Sequence, residues 1–228
     1  MKMNEKVAAL VVTYNRKQLL LECIVALLDQ TYEQLDIWII DNASTDGTKE
    51  VLQQFIEEKK IIYHNTKKNL GGAGGFNFGI KLLAQQEYSH IWIMDDDTVP
   101  KKDALEKLIF SARELNKPFG FLASSVLCED GTFCKMNNPG ILRSGLLNQG
   151  YKEVQKGILQ VEYASFVSIL VPTKIVKEVG LPIKEFFIWK DDYEYTTRIS
   201  EKYSCYYVAN SEVVHKIKNN MMPNIATD

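Results

Sequence analysis

The sequence predicts an α/β protein: a Rossmann-like, mostly parallel central sheet flanked by helices, with a smaller mixed β part in the C-terminal half. Three observations carry this expectation. Short, continuously apolar, β-branched runs suit strands buried on both faces. These runs alternate with helix-period segments, as strand–helix–strand units require. Polar residues gather where the runs end, which is where open α/β sheets bind their ligands.

The first run, Val7 to Val12, is rich in valine and carries no charge. Thr13, Tyr14 and Asn15 turn the chain. Asn15 is expected to cap the next helix, with Gln18 as its capping-box partner. That helix runs to about Asp29. Ile37 to Ile40 is the second strand and ends in Asp41. The polar turn Asn42 to Gly47 leads into a helix over Thr48 to Glu58. Ile61 to His64 is the third strand. Asn69 to Gly75 reads as a glycine-rich loop before a helix through Ala84. Ile91 to Met94 is the fourth strand, and three aspartates follow it. Thr13 to Arg16, Asp41-Asn42, Asn69 to Gly75 and Asp95 to Asp97 therefore converge on one edge of the sheet.

After Pro100 the pattern changes. Lys102 to Leu115 is helical and Phe119 to Cys128 extended. Glu129 to Gln160 is rich in Gly and Asn with short extended pieces. Val161 to Val171 reads as one strand. Pro172 opens a short helix that ends at Gly180, and Asp191 to Lys202 is helical. Cys205 to Ala209 and Val213 to His215 are extended. No repeat or linker divides the chain, so 1–228 reads as a single domain in two halves, 1–100 and 101–228.

A chain of 228 residues, 46% hydrophobic and 25% charged, is not disordered, collagenous or coiled coil. Lys and Arg number 27 against 29 Asp and Glu, a net charge of −2, so no basic field drives unspecific nucleic-acid binding. The apolar runs fall far short of the roughly 20 residues that cross a bilayer. The polar start, Met1 to Lys6, does not read as a signal peptide. Cys23, Cys128, Cys134 and Cys205 form no CxxC pair and read as reduced, mostly buried thiols of a cytosolic protein. Cys128 and Cys134 are close enough for a hairpin disulfide, which is not the expected state.

The chemistry concentrates in three places. Asp95, Asp96 and Asp97 repel one another unless solvated or ligated. Asp95 and Asp97 can point to one side of an extended segment, and hard oxygen ligands select Mg²⁺ or Mn²⁺. The alternative is a solvated acidic turn, which suits a surface loop better than the end of a buried strand. In Asn69 to Asn77, glycines allow close backbone approach to a ligand, and a helix N-terminus favours an anion. The alternative there is a plain flexible loop. Asp191 and Asp192 open a helix among aromatic residues, so either can cap it, and either can take a proton from an acceptor hydroxyl. His215 ends a strand and can complete the ligand set of the Asp cluster.

Taken together, these residues resemble the family 2 glycosyltransferases of the GT-A fold over about residues 6 to 216. Ala9 to Arg16 looks like the opening strand and turn of that family, and Asp41 to Thr48 like its second motif. Asp95-Asp96-Asp97 is similar to its DxD motif. Lys190-Asp191-Asp192 occupies the place of its acidic–Asp pair. The closer resemblance is to bacterial galactofuranosyltransferases and their rhamnosyltransferase relatives, through the Asn-x-Gly-Gly-Ala-Gly-Gly-Phe-Asn, Trp-x-x-Asp-Asp-Asp and Trp-x-Asp-Asp-x-Glu runs. In galactofuranosyltransferases the Trp usually directly precedes the Asp pair, whereas here Lys190 intervenes.

The resemblance implies a metal-dependent inverting glycosyltransferase. Its nucleotide-binding half would be 1–100 and its acceptor-binding half 101–228. Thr13, Tyr14, Asn15, Arg16, Asp41, Asn42, Asn69, Asp95 and Asp96 would hold the nucleotide. Asp95, Asp97 and His215 would bind Mn²⁺ or Mg²⁺. Gly72, Ala73, Gly74, Gly75, Trp92, Trp189 and Asp191 would position sugar and acceptor, and Asp192 would be the base. The donor would be UDP-galactofuranose or dTDP-rhamnose. The acceptor would be a glycan or lipid-linked glycan of a cell-surface polysaccharide. The enzyme would lie in the cytoplasm, in peripheral contact with the inner face of the membrane. Many relatives continue with helices that contact membrane or acceptor, whereas here Met221 to Asp228 follow closely on His215.

Two rivals remain. Asp95-x-Asp97-x-Val99 fits the nucleophile motif of haloacid-dehalogenase-type phosphatases, but that motif normally lies on the first strand. A non-catalytic nucleotide-sugar binder is the other. A dinucleotide oxidoreductase is disfavoured, because Thr13 to Lys17 contains no glycine.

Overall fold

The structure, a computed structural model, describes residues 5–142 and 151–217. Met1–Asn4, residues 143–150 of the Gly- and Asn-rich stretch and the tail 218–228 lie outside the described residues. Ten strands form one sheet among them. The first half is regular: β1 (Val7–Thr13), α1 (Lys17–Leu28), β2 (Leu35–Asp41), α2 (Thr48–Glu57), β3 (Ile62–Asn65), α3 (Gly71–Leu83) and β4 (His90–Asp95). The strands lie parallel in the order β3-β2-β1-β4. The second half holds β5 (Thr98–Pro100), α4 (Ala104–Leu115), β6 (Leu122–Leu127), a 3₁₀ turn (Lys135–Asn137) and β7 (Gly140–Ile141). It continues with α5 (Tyr151–Gln155), β8 (Ile158–Tyr163), β9 (Ile169–Pro172), α6 (Thr173–Val179), a second 3₁₀ turn (Lys184–Phe186), α7 (Asp191–Ser200) and β10 (Cys205–His215). From β4 the sheet continues β9-β6-β10-β8-β7 with mixed directions, and β5 pairs with β10.

Strand alternation divides the core into two layers. Val7, Ala9 and Val11 face α1, α2 and α4 through Leu20, Ile24, Leu52 and Leu105. Ala8, Leu10 and Val12 face α3 and α7 through Phe76, Ile80, Tyr195 and Ile199. Helices therefore cover both faces, as expected. Register then lays out the sheet edge: Thr13 pairs with Asp41, Asp41 with Asn65, and Val12 with Asp95.

Several expectations are corrected. Val161 to Val171 is not one strand. β8 pairs with β10 and β9 lies between β4 and β6, so residues 164–168 cross the sheet. The apolar run hides the break, because Thr196 of α7 takes up the backbone N–H and C=O of Ala164. Cys205 to His215 is one strand with a bulge between Val208 and Glu212. Asn15 does not cap α1. It adopts φ 53° and its Oδ1 accepts from Thr45 N–H at 2.7 Å. Asp46 caps instead, accepting from Lys17 N–H at 3.2 Å and from Thr48 N–H at 3.1 Å. The glycine segment is the first turn of α3, not a loop.

Cys128 and Cys134 are joined by a disulfide, against expectation, with Cα atoms 5.2 Å apart. The tight hairpin accounts for it: Cys128 N–H donates to Thr132 C=O, and Cys134 N–H to Val126 C=O. Cys23 and Cys205 are free and buried, as read. No helix among the described residues is long and apolar enough to cross a membrane. Closing so short a loop removes unfolded-state entropy, so Cys128→Ser is expected to lower unfolding free energy by about 2–3 kcal/mol in denaturant titrations. Reductant should erase the difference between the two proteins. Equal stabilities under oxidising conditions would count against the bond.

Candidate active site

The carboxyl edge of the sheet opens into a cavity of about 710 Å³. Both halves of the chain line it: Thr13, Tyr14, Arg16 and Asn42 from the first half, and Asn137, Asp191, Asp192 and His215 from the second. β1 and β4 end side by side at its floor. The β5–β10 pairing sets His215 opposite Thr98, next to the acidic run, and Lys216 N–H donates to Asp97 C=O.

The three aspartates divide their partners. Asp96 is buried. Its Oδ2 accepts from the Thr13 hydroxyl at 2.7 Å and its Oδ1 from Arg16 at 3.3 Å. Burial nevertheless pushes its carboxyl up to about 6. Asp97 Oδ2 accepts from Arg16 at 2.8 Å. Burial opposes ionisation of Asp97, but the His215 contact and the Arg16 charge win, and its carboxyl lies below the usual range. Asp95 lacks such help. Burial, then the charges of Asp97 and Asp96, push it well above the carboxylate range.

A divalent cation fits this arrangement. Ligand atoms of Asp95, Asp97 and His215 all lie within 4.8 Å of one another. Asp97 Oδ1 is buried and has no hydrogen-bond partner among the described residues, yet His215 Nε2 stands 3.1 Å from it. Adjacent ligands on an octahedral cation at about 2.1 Å lie about 3.0 Å apart. The solvated-turn alternative fails, because Asp96 and Asp97 are buried.

Other expected site residues fare differently. Tyr14 lines the cavity half-exposed, and Asn42 and Asn69 line it too. Asn42 Oδ1 is buried without a partner among the described residues, while its Nδ2 donates to Gly71 C=O. Asp41 does not line the cavity. It is buried and accepts from Ser44 N–H at 2.8 Å, Tyr63 at 2.5 Å and Asn65 at 3.2 Å, so it holds the edge together. Asn15 faces away, bonded to the Ser44-Thr45 turn. Trp92 is wholly buried, and its indole N–H donates to Ser168. It packs the core and does not line the cavity. Ala73, Gly74 and Gly75 are buried within α3. A Cβ on Gly75 would lie 2.5 Å from a Val12 methyl, so that glycine lets helix and sheet approach. Of the expected glycine segment only Gly72, together with Gly71, reaches the cavity.

The opposite wall is a strap that leads into α7. Phe187 takes φ 63° and ψ −59°, a strained γ-turn closed by Ile188 N–H to Phe186 C=O. Its own carbonyl accepts from Ala73 N–H at 3.1 Å, so the chain itself fills the α3 N-terminus. Gly71, at φ 72°, makes room for it. Trp189 stands 44% exposed at the rim. Beyond it, burial and the charge of Asp192 push Asp191 up to about 6. Burial raises Asp192 as well.

Sequence reasoning missed Asn137, Ser165, Tyr63 and Asn65. The last two stand two apart on β3, a period-2 signal pointing at Asp41. Asn137 lay in the stretch read only as Gly- and Asn-rich.

Residues 8–137 match the family described as Glycosyl transferase family 2. TuaG of Bacillus subtilis, assigned to teichuronic acid biosynthesis, is 31% identical over 129 residues, 55% of this chain and 49% of TuaG. The glycosyltransferase GlyG of Streptococcus pneumoniae is 33% identical over 113 residues, 49% of this chain and 36% of GlyG. The matched stretch thus spans about half of the one relative and about a third of the other. Among solved structures, S. aureus TarS 1–349 in complex with UDP-GlcNAc superposes with a TM-score of 0.68 at 16% identity, covering 94% of this chain and 59% of TarS. GalNAc-T7 with UDP, GalNAc and Mn²⁺ gives 0.76 at 13% identity, covering 95% and 45%. The fold is GT-A.

The strap geometry is testable. In Gly71→Ala the new methyl meets the Phe187 carbonyl, an overpacking expected to cost about 1–3 kcal/mol in thermal unfolding. Iodide quenching of Trp189 should rise while the buried Trp38 and Trp92 stay protected. Unchanged stability and quenching would mean that the strap does not rest on Gly71.

Proposed function

The chain belongs to glycosyl transferase family 2, and from that premise we propose that it moves a sugar from a nucleotide-diphospho-sugar to a hydroxyl of a glycan or lipid-linked glycan, with inversion. The observation that carries this reading is the convergence of Asp95 with the buried Asp97 and His215 in one cavity with Asp191 and Asp192. Asp95, Asp97 and His215 would hold Mn²⁺ or Mg²⁺. The bound ion supplies Lewis-acid stabilisation of the departing nucleoside diphosphate.

The chain's own residues do the rest. Thr13 and Arg16 hold Asp96 and Asp97 in place. Tyr14, Asn42 and Asn69 offer polar and aromatic surface to base, ribose and phosphates. The acceptor oxygen forms its bond to the anomeric carbon as the bond to phosphate breaks, and the acceptor proton passes to the Asp192 carboxylate. A base with a raised pKa is better matched to proton transfer near neutral pH. Trp189 and Asp191 position sugar and acceptor at the rim, where geometry matters more than covalent chemistry. In this reading residues 1–100 serve the nucleotide and 101–228 the acceptor.

A UDP-linked donor is supported by the UDP in the TarS and GalNAc-T7 structures. The glycine and aromatic motifs favour UDP-galactofuranose, with dTDP-rhamnose as the alternative. Polysaccharide synthesis is supported by TuaG and by the poly-β-1,6-N-acetyl-D-glucosamine synthase of Staphylococcus aureus, 30% identical over 100 residues; in this reading the product is a cell-surface polysaccharide made at the cytoplasmic face of the membrane.

Calorimetric titration of UDP and dTDP with Mn²⁺ tests the site. Binding is expected for one of them, abolished by EDTA and by Asp97→Ala. Failure of both nucleotides to bind folded protein would overturn the reading. Asp192→Asn is expected to lower kcat by about 10²–10⁴-fold while leaving Mn²⁺-dependent nucleotide binding within a few-fold.

The pH dependence follows from burial. Asp192 is flanked by Asp191 and Lys190, and its charge also reaches Asp95. Its raised pKa means that the ionised base is lost as pH falls through a value above that of a free carboxylate. The acid limb of kcat should therefore lie above the ordinary carboxylate range near pH 4. A limb in the ordinary carboxylate range would argue against a base at this position.

A further inference from the structure

The metal-ligand reading above leaves one buried contact unused. His215 is 5% exposed and Asn137 8% exposed, and their side chains meet: His215 Nδ1 lies 2.8 Å from Asn137 Oδ1. The other end of that amide is committed as well, because Asn137 Nδ2 donates to Ser165 Oγ at 3.0 Å. An amide oxygen can only accept. With the amide in this orientation, the imidazole places a proton on Nδ1. When the ring is neutral, as a metal ligand must be, Nε2 keeps its lone pair on the side of Asp97 Oδ1, 3.1 Å away.

We propose that Asn137 is a positioning residue for the metal site, fixing His215 in the Nδ1–H tautomer so that Nε2 faces the cation beside Asp97. The inference rests on the metal-ligand reading of Asp95, Asp97 and His215. A second group that accepts from the far nitrogen of a ligating His fixes its tautomer and ring plane and strengthens it as a donor. Asn137 is itself held from two sides. Ser165, in the crossing between β8 and β9, receives its amide. Its backbone N–H donates to Cys134 C=O at 3.0 Å, and Cys134 is tied to Cys128 at the end of β6. The disulfide hairpin and the 3₁₀ turn thus deliver one buried acceptor to a strand far along the sequence. Neither Asn137 nor Ser165 carries the chemistry, so a motif search centred on acidic residues passes over both.

Mn²⁺ affinity in the presence of UDP tests the proposal without reference to turnover. Asn137→Ala is expected to weaken Mn²⁺ about 10–100-fold. Asn137→Asp, which keeps an acceptor for Nδ1–H, should return affinity to within a few-fold of wild type, an outcome that a merely structural role would not produce. In ¹⁵N-labelled protein loaded with Mg²⁺ and UDP, His215 should carry its proton on Nδ1. A proton on Nε2 would overturn the proposal. So would equal Mn²⁺ affinity of wild type and folded Asn137→Ala while Asp97→Ala abolishes binding. Wild-type protein that binds no Mn²⁺ would instead overturn the metal reading, and the positioning role with it.

Discussion

Crowding of negative charge at the end of a buried strand is the constraint from which the rest of this molecule follows. β4 must be apolar to sit between β1 and β9, yet it delivers Asp95, Asp96 and Asp97 to one point. Water cannot reach Asp96 and Asp97 freely enough to solvate them. The structure answers with specific partners: the Thr13 hydroxyl and the Arg16 guanidinium from the first strand–helix turn, and His215 from the last strand. Asp95 has no hydrogen-bonded cation of the chain's own among the described residues, and burial and the charges of Asp97 and Asp96 push its carboxyl well above the ordinary range. Taking Asp96 and Asp97 out of water without compensation would be prohibitive, and these partners supply that compensation.

That constraint also explains the topology of the second half. The parallel β3-β2-β1-β4 unit brings the acidic run to the sheet edge, but it does not hold His215, which meets Asp97 there. β5 leaves the acidic run in the direction that pairs it with β10, and this pairing brings His215 back to Asp97. The bulge between Val208 and Glu212 lets one strand serve three neighbours, pairing with β6 and β8 at its start and with β6 and β5 at its end. The site is therefore assembled by long-range pairing and exists only when both halves are folded together.

Much of this was legible in the sequence, and the reasons are physical. The first hundred residues obey strand and helix periodicity, so β1 to β4 and their helices were placed to within a few residues. The acidic run, His215 and the Asp191-Asp192 pair were visible because carboxylates at the ends of apolar strands break the pattern. Trp92 was misjudged because an indole beside a site looks the same in sequence whether it faces cavity or core. The Ser168 hydroxyl that receives its N–H is remote in sequence. The break at residues 164–168 was invisible because Thr196, from another element, supplies the hydrogen bonds that a continuous strand would have made. Asn15 was read as a cap from local pattern, whereas Asp46 takes that role across the turn.

The glycine segment shows why a local motif can be right in place and wrong in mechanism. Its glycines do lie at the site, but most face the sheet rather than a ligand. Close approach of α3 to β1 requires Gly75, and the free N–H at the helix start is already used by Phe187. The helix terminus that would favour an anion instead anchors the strap that leads to Asp191 and Asp192. One small residue, Gly71, thus links the two opposite walls of the cavity. The strap that carries the two carboxylates opposite Asp95, Asp97 and His215 is held by a backbone contact, Ala73 N–H to Phe187 C=O, rather than by any charge of their own. An electrostatic site whose members repel one another needs such uncharged scaffolding, because attraction among its own groups cannot set their spacing.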